Sequence, residues 1–176
     1  PSGYSQTSLT CDNATGQVTS VTLGLGETVE CTFVNDDVAP SLILKKTVIN
    51  DNNGDASASD WTLFAGARSV AGTVDGLEGT DQAGDYALTE SDGPAGYTNT
   101  SITCDDDVGV EVTSVTLGLG ETITCEFVND DDAPSLILMK TVIEVNNGEA
   151  SDSDWNLFAG ERSVAGTVDG REVTDQ

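Results

Sequence analysis

Residues 86–97 read Tyr-Ala-Leu-Thr-Glu-Ser-Asp-Gly-Pro-Ala-Gly-Tyr. Tyr86, Leu88 and Glu90 alternate with other residues at the period of a strand that buries one face. The Gly and Pro residues that follow are typical of a turn, because Gly accepts a positive φ and Pro cannot donate to a β-ladder. A second alternating run follows the turn over residues 97–103. This stretch therefore predicts strand, turn and strand.

Similar runs lie on both sides of this stretch, and none of them has the period of a helix. Turn signals separate them at intervals of roughly ten residues, which is typical of an all-β sandwich. We therefore predict an all-β, immunoglobulin-like sandwich of about seven strands. The predicted segments are residues 42–48, 60–65, 69–74, 86–90, 97–103, 112–117 and 125–129.

The chain also repeats itself. Residues 18–28 recur without change as residues 112–122, and other segments recur at nearly the same offset. Self-similarity at a fixed period indicates tandem structural units. The first and last residues of the chain fall inside a repeat, so we expect a segment of a longer tandem array.

Short acidic stretches that end in Pro mark the predicted domain junctions, since Pro suits a junction better than a central strand. They occur just before the two equivalent apolar runs. We predict the back part of a preceding repeat at residues 1–36 and a complete β-sandwich repeat at residues 40–132. The front part of a following repeat is predicted at residues 134–176.

Composition excludes several classes of function. The 176 residues include 31 Asp or Glu but only 6 Lys or Arg, and there is no His. Such a polyanion repels phosphates, so no nucleic-acid partner is expected. Without His there is no imidazole for a catalytic triad or a metal site, and we predict neither turnover nor a cofactor. The longest apolar run is far shorter than the ~20 residues that span a bilayer, so no membrane insertion is predicted in this segment.

The chain contains four cysteines. Their positions contain no Cys-x-x-Cys pair, which argues against a four-cysteine zinc site. Each adjacent pair falls within one predicted repeat, so we predict the disulfides Cys11–Cys31 and Cys104–Cys125. Disulfides in an acidic chain rich in Ser and Thr favour an oxidising, extracellular setting.

Two other motifs are weaker. Residues 51–55 read Asp-Asn-Asn-Gly-Asp and suggest calcium, but Gly54 and Thr62 do not fit a calcium-binding loop. We interpret the segment as a polar Asn-Gly turn and predict no metal. Residues 99–101, Asn-Thr-Ser, have the sequence of an N-glycosylation acceptor.

Three inward-facing positions of the predicted sandwich are polar. The alternation of their strands directs Lys46, Glu90 and Asn129 to the inside, where each is costly unless it finds a partner. One reading is that each residue lies at a strand end and reaches solvent. The other is that the three side chains meet. Lys45 is a weaker candidate, because alternation directs it outward and its repeat equivalent is Met139.

Residues 86–97 resemble the Y-x-L-x-E…P-x-G-Y box of Cna B-type, prealbumin-like domains of bacterial pilins and surface adhesins, which include SpaA-like pilin repeats. Residues 42–46 resemble the first strand of those domains, and residues 127–129 resemble the last. The order Lys, Glu, Asn also agrees. The resemblance covers residues 40–130 and implies a prealbumin-like sandwich of a bacterial or archaeal surface protein.

The same resemblance implies a covalent link. In that family the Lys and Asn side chains can join as an intramolecular isopeptide bond, helped by the Glu. This implies a bond between Lys46 and Asn129, with Glu90 assisting.

The chemistry of this link follows from the residues themselves. An amine attacks a carboxamide only when it is unprotonated, and burial lowers the pKa of Lys46. A neutral Glu90 can donate to the carbonyl of Asn129 and pass protons as ammonia leaves. The reaction happens once per domain, so it is maturation rather than turnover.

The leading interpretation of function is structural. We expect a secreted or cell-surface segment of a fibre, pilus-like filament or adhesin stalk. Its partners would be neighbouring repeats or identical subunits stacked end to end. The alternative is an adhesion module whose exposed loops bind a glycan or a host or surface protein. Loops that are nearly identical between repeats favour the shaft.

Overall fold

The computed structural model of the protein describes residues 1–107 and 109–174. Within these residues nearly all regular structure is β-strand, with two single-turn 3₁₀ helices at Ala58–Asp60 and Asp152–Asp154. The all-β fold class is thereby confirmed. In chain order the strands are β1 (Tyr4–Cys11), β2 (Cys31–Asp37), β3 (Ser41–Ile49), β4 (Thr62–Ala65), β5 (Arg68–Ala71), β6 (Leu77–Thr80), β7 (Gly84–Glu90), β8 (Tyr97–Cys104), β9 (Ser114–Leu117), β10 (Thr122–Asp131), β11 (Ser135–Leu138), β12 (Asn156–Ala159), β13 (Arg162–Ala165) and β14 (Arg171–Thr174).

The described residues form two compact units. The first combines residues 1–50 with residues 55–130, and the second combines residues 51–54 with the chain from residue 131 onward. The first unit contains the sandwich and the pair β1–β2. The second contains β11 to β14.

The sandwich has two four-stranded sheets, with the strand orders β6-β3-β10-β8 and β5-β4-β7-β9. β3 and β10 are parallel neighbours, and Leu44 lies opposite Cys125. Strand β6 pairs with β3 in the antiparallel sense, as do β4 with β5, β4 with β7 and β7 with β9. The first and last strands of the sandwich therefore lie side by side.

The core lies between the two sheets. Burial alternates along β3 and β10 as the sequence predicts, because successive side chains of a strand point to opposite faces. Trp61 belongs to this core and is 1% exposed. The buried apolar residues are Leu42, Leu44, Ala56, Trp61, Leu63, Ala65, Leu88, Cys104, Val115, Leu117, Ile123, Cys125 and Phe127.

The sequence pattern missed one strand of the sandwich. Each of the seven predicted segments overlaps a strand, and β6 is an eighth strand, antiparallel to β3 at the edge of its sheet. Its sequence, Leu-Glu-Gly-Thr, shows no apolar alternation, and most of it is exposed. An edge strand of this kind is stabilised by its backbone ladder rather than by a buried face, so periodicity does not reveal it.

Strands β1 and β2 form a separate antiparallel pair, with Cys11 opposite Cys31. This pair is hydrogen-bonded to the sandwich within the first unit. The N–H of Val38 donates to the carbonyl of Gly3 at 2.8 Å, and the N–H of Gly120 donates to the carbonyl of Val38 at 2.7 Å. The chain between β2 and β3 is therefore held by backbone hydrogen bonds.

The second unit contains two short antiparallel pairs, β11–β14 and β12–β13. They are the repeat equivalents of β3–β6 and β4–β5. Several large apolar side chains of this unit are more exposed than their repeat equivalents in the sandwich. Phe158, for example, is 69% exposed, whereas its equivalent Phe64 is half-buried.

Candidate functional site

The three inward polar side chains meet inside the sandwich. Lys46 on β3 and Asn129 on β10 belong to neighbouring strands of one sheet, and Glu90 on β7 belongs to the facing sheet. The Nζ of Lys46 lies 2.8 Å from Oε2 of Glu90 and 2.5 Å from Oδ1 of Asn129. Lys46 is 0% exposed and Asn129 is 2% exposed. The site therefore places an amine, an acid and a carboxamide in contact, away from water.

Aromatic and small residues form the wall around the amine. The Nζ of Lys46 lies 4.8 Å from the centroid of the Trp61 ring, which in turn meets Tyr97 edge-on at 5.5 Å. A Cβ at Gly72 would collide with the carbonyl oxygen of Ala58 and press on the stem of Lys46. Gly72 therefore lets the backbone lie directly against the lysine stem.

The electrostatics of the site favour a reactive amine. Burial lowers the pKa of Lys46 below its ordinary value of 10.5, and the hydrogen bond and charge of Glu90 oppose that shift only in part. An ammonium loses its hydration inside the sandwich, so the neutral form is relatively favoured. Lys46 can then act as a nucleophile, Asn129 as the electrophile and Glu90 as the proton carrier.

The sequence pattern missed a fourth polar residue at this site. Asn99 on β8 donates from Nδ2 to Oε1 of Glu90 at 2.9 Å and to Oδ1 of Asn129 at 3.2 Å. In the sequence Asn99 belongs only to a glycosylation-type motif, because no inward alternation marks it. The signal that was available is the repeat equivalent, Gln6, which is also a carboxamide.

Lys45 lies on the outer face of β3, as its alternation predicts. Its Nζ is 3.2 Å from Oε1 of Glu126, and both side chains are about one third exposed. This pair has the same charges as Lys46 and Glu90 in a solvated setting. It provides a matched control within the same sandwich.

Both predicted disulfides are present, Cys11–Cys31 and Cys104–Cys125. Each joins a pair of neighbouring strands, β1 to β2 and β8 to β10. Cys125 is fully buried and belongs to the core beside Phe127. The second disulfide therefore fixes the strand that carries Asn129.

The polar segment at residues 51–55 forms a turn, and Asn53 has a positive φ of 71°. The carboxylate of Asp131 accepts hydrogen bonds from the backbone N–H groups of Asp51, Asn52 and Gly54. Burial raises the pKa of Asp131, but these donors together bring it below its ordinary value. The oxygens of Asp131 are thus engaged in holding the turn.

The second copy of the sequence, which begins near residue 134, reproduces part of the site. The Nζ of Lys140 lies 4.5 Å from the centroid of the Trp155 ring, as Lys46 lies over Trp61. Among the described residues, Lys46, Glu90 and Asn129 form the complete set. The contact between lysine and indole therefore also forms at this second lysine.

Comparison with known proteins identifies the class. A family model described as a prealbumin-like fold domain, of the SpaA type, matches residues 37–127, which is just over half of the chain. The chain belongs to this family, as the resemblance of its motifs indicated. No curated protein and no solved structure matches it.

The family assigns the fold to a pilin-like structural module of surface-exposed proteins. Such modules are in general not enzymes. Among the residues that the structure describes, no helix is both long and apolar enough to cross a membrane.

Proposed function

We propose that this chain is a structural segment of an extracellular fibre, pilus-like filament or adhesin stalk. In this proposal a Lys46–Asn129 isopeptide bond and a disulfide reinforce the complete repeat. The observation that carries it is the buried contact of the amine with both the carboxamide and the acid. An unreacted lysine in such a place costs several kcal/mol of desolvation, which a covalent amide would remove.

The proposed reaction is an acyl transfer within the folded domain. The neutral amine of Lys46 attacks Cγ of Asn129, and the electron pair of the carbonyl moves to Oδ1. Glu90 accepts a proton from the attacking nitrogen and passes it to the amide nitrogen of Asn129. The electron pair on Oδ1 then re-forms the carbonyl, the bond from Cγ to the protonated amide nitrogen breaks, and ammonia leaves with that bond's electron pair. The fold supplies proximity, which replaces a collision between separate groups.

The topology supports a load-bearing role. β3 and β10 are parallel neighbours, so opposite pulls on the start of β3 and the end of β10 load this strand pair in shear. Lys46 and Asn129 are 83 residues apart in the chain but in contact in space. A covalent bond between the two side chains would transmit the pulling force directly from β3 to β10, so the chain between the two residues would bear none of it. The intervening strands would stay folded under tension.

The junction before the sandwich supports an end-to-end arrangement of neighbouring repeats or identical subunits. Val38 is hydrogen-bonded on one side to Gly3 and on the other to Gly120. A Cβ at Gly3 would collide with Leu119. A junction held this closely leaves little slack between the strand pair β1–β2 and the sandwich. We propose a shaft at the cell surface rather than a flexible array.

Intact mass of the purified chain tests this proposal. We expect a mass lower than that of the sequence with two disulfides by one molecule of ammonia. Lys46→Ala and Glu90→Gln should each restore the unreacted mass, because they remove the nucleophile and the proton carrier. Peptide mapping should find a branched peptide that joins Lys46 to Asn129.

Lys45→Met is the matched control, since Met stands at the equivalent position 139. It should leave the loss of ammonia unchanged. A wild-type mass equal to that of the disulfide-bonded sequence would contradict the cross-link, and the structural role would then rest on packing and the disulfide.

A further inference from the structure

Asn99 joins the two groups that the proposed reaction must coordinate. It carries two N–H bonds on Nδ2, and Nδ2 lies within hydrogen-bond distance of both Glu90 Oε1 and Asn129 Oδ1, at 2.9 and 3.2 Å. The second oxygen is the atom on which negative charge develops when Lys46 attacks. Asn99 therefore contacts a reacting atom directly.

The preceding copy of the sequence also carries a carboxamide at this position. Gln6 occupies the position of Asn99, and it lies directly opposite Asn35, the equivalent of Asn129. The ladder is irregular just after Gln6, between Gln6 and Ser8. A β-bulge of this kind re-aims a side chain and is enriched next to functional sites.

A hydrogen bond made by the next residue, a threonine, shows that the strand pairs β1–β2 and β8–β10 have similar local geometry. The hydroxyl of Thr7 donates to the carbonyl of Val34 at 3.3 Å, and that of Thr100 donates to Val128 at 3.2 Å. A carboxamide therefore recurs at the same position of a locally similar strand pair, although β-strand propensity favours β-branched and aromatic residues over Asn there.

We propose that Asn99 is a catalytic residue of the cross-linking reaction, an inference that rests on the proposed isopeptide bond. One N–H of its amide stabilises the negative charge on Oδ1 of Asn129 in the tetrahedral intermediate. The other holds the carboxyl of Glu90 in place for proton transfer. The bonds made and broken are those of the acyl transfer, and Asn99 itself is unchanged.

The expected magnitude follows from the exposure of Asn99. Removing one donor from a water-excluded oxyanion hole slows a reaction by about 10²- to 10³-fold. Asn99 is exposed at the rim of the site, so water replaces part of the lost hydrogen bond. We therefore expect a slowing of roughly 10- to 100-fold for Asn99→Ala.

The test measures the rate of ammonia loss in the full chain. Each variant is translated in vitro, quenched into denaturant before it can fold, and refolded by dilution under oxidising conditions. Intact mass is followed over time. Lys45→Met, on the outer face of β3, is the control and should react at the wild-type rate. Circular dichroism verifies that each variant folds.

Three variants give the expected order. Asn99→Ala should slow the reaction, and Asn99→Gln should recover part of the rate, because Gln stands at position 6 of the preceding repeat. Asn99→Asp should be slower than Asn99→Gln, since a carboxylate opposes the developing oxyanion. If Asn99→Ala fails to fold, the comparison of Gln with Asp carries the test.

Two results overturn the inference and are distinguishable. Wild-type rates in Asn99→Ala, or equal rates in Asn99→Gln and Asn99→Asp, would refute the role of Asn99 while the cross-link itself stands. A wild-type chain that never loses ammonia would remove the proposed reaction and, with it, this role.

Discussion

The substitution Glu90→Gln, made in a chain that cannot form the isopeptide bond, measures how much Glu90 stabilises the buried ammonium of Lys46. The parent is Asn129→Ala, which removes the electrophile from both arms of the comparison. Within the described residues Glu90 is the acid that pairs with Lys46. The side chains are 0% and 10% exposed, so solvent screens the pair very little. The substitution replaces the carboxylate by a neutral group of nearly the same shape.

The size of the effect can be bracketed in two ways. Leaving one charge of a buried pair without its partner costs about 3–5 kcal/mol. Alternatively, Lys46 loses its proton when the variant folds. Deprotonating a lysine with the ordinary pKa of 10.5 costs about 5 kcal/mol of free energy at pH 7, because each pH unit below the pKa costs about 1.36 kcal/mol. This value is the upper limit of the loss. We therefore expect Glu90→Gln to lower the free energy of unfolding by about 3–5 kcal/mol at pH 7.

The pH dependence has a definite sign. Glu90 opposes the lowering of the Lys46 pKa, so in the Glu90→Gln variant burial lowers that pKa further, while the unfolded state keeps the ordinary value of 10.5. The unfolded state binds more protons between the lowered pKa and that value, so stability rises with pH in this window. The slope is about 1.4 kcal/mol per pH unit at most. The deficit relative to the parent should shrink toward pH 10.

Urea denaturation at pH 7 and near pH 9.5 gives both quantities. Lys45→Met in the same background is the control. Its pair with Glu126 is about one third exposed, so it should cost less than about 1 kcal/mol and show no such slope. A deficit below about 1 kcal/mol for Glu90→Gln, or one that does not change with pH, would refute this account of the buried pair.

Two further predictions concern the frame of the site. Replacing Cys104 and Cys125 together by Ala should lower the free energy of unfolding by about 3 kcal/mol in urea titrations, because the unfolded chain loses a loop constraint; an unchanged midpoint would contradict it. Gly93→Ala should cost about 2–4 kcal/mol, since φ is +66° and the new methyl group would collide with the indole of Trp61. Gly96→Ala is its control, with φ of +84° and open space around the Cβ, and should cost only about 1–2 kcal/mol; equal losses at the two glycines would exclude the collision.

The alternation of inward and outward residues along the strands predicted most of the candidate site. Period-2 patterns in the first, middle and last strands were sufficient to direct Lys46, Glu90 and Asn129 inward. The family motifs added their order. The sheet order then brought the three strands together across the two layers. Asn99 escaped prediction, because its role depends on what lies opposite it on the neighbouring strand.

Two identical segments of the chain distinguish the effect of local sequence from the effect of tertiary structure. Residues 18–28 and 112–122 are identical, and both alternate in the way that predicts a strand. The second copy contains β9, in which Val115 is 4% exposed. In the first copy the equivalent Val21 is 43% exposed, and within residues 1–107 and 109–174 no strand pairs with it.

The physical reason is that a strand needs a partner for its backbone. β9 pairs with β7, and Val115 lies opposite Tyr86 over the core. Backbone N–H and C=O groups of an extended chain are satisfied only by a neighbouring strand or by water. The sequence by itself determined the alternation, the turns, the disulfide partners and the polar residues that face inward. Only the tertiary structure decided which alternating segment became a strand, because only there did a neighbouring strand lie beside it.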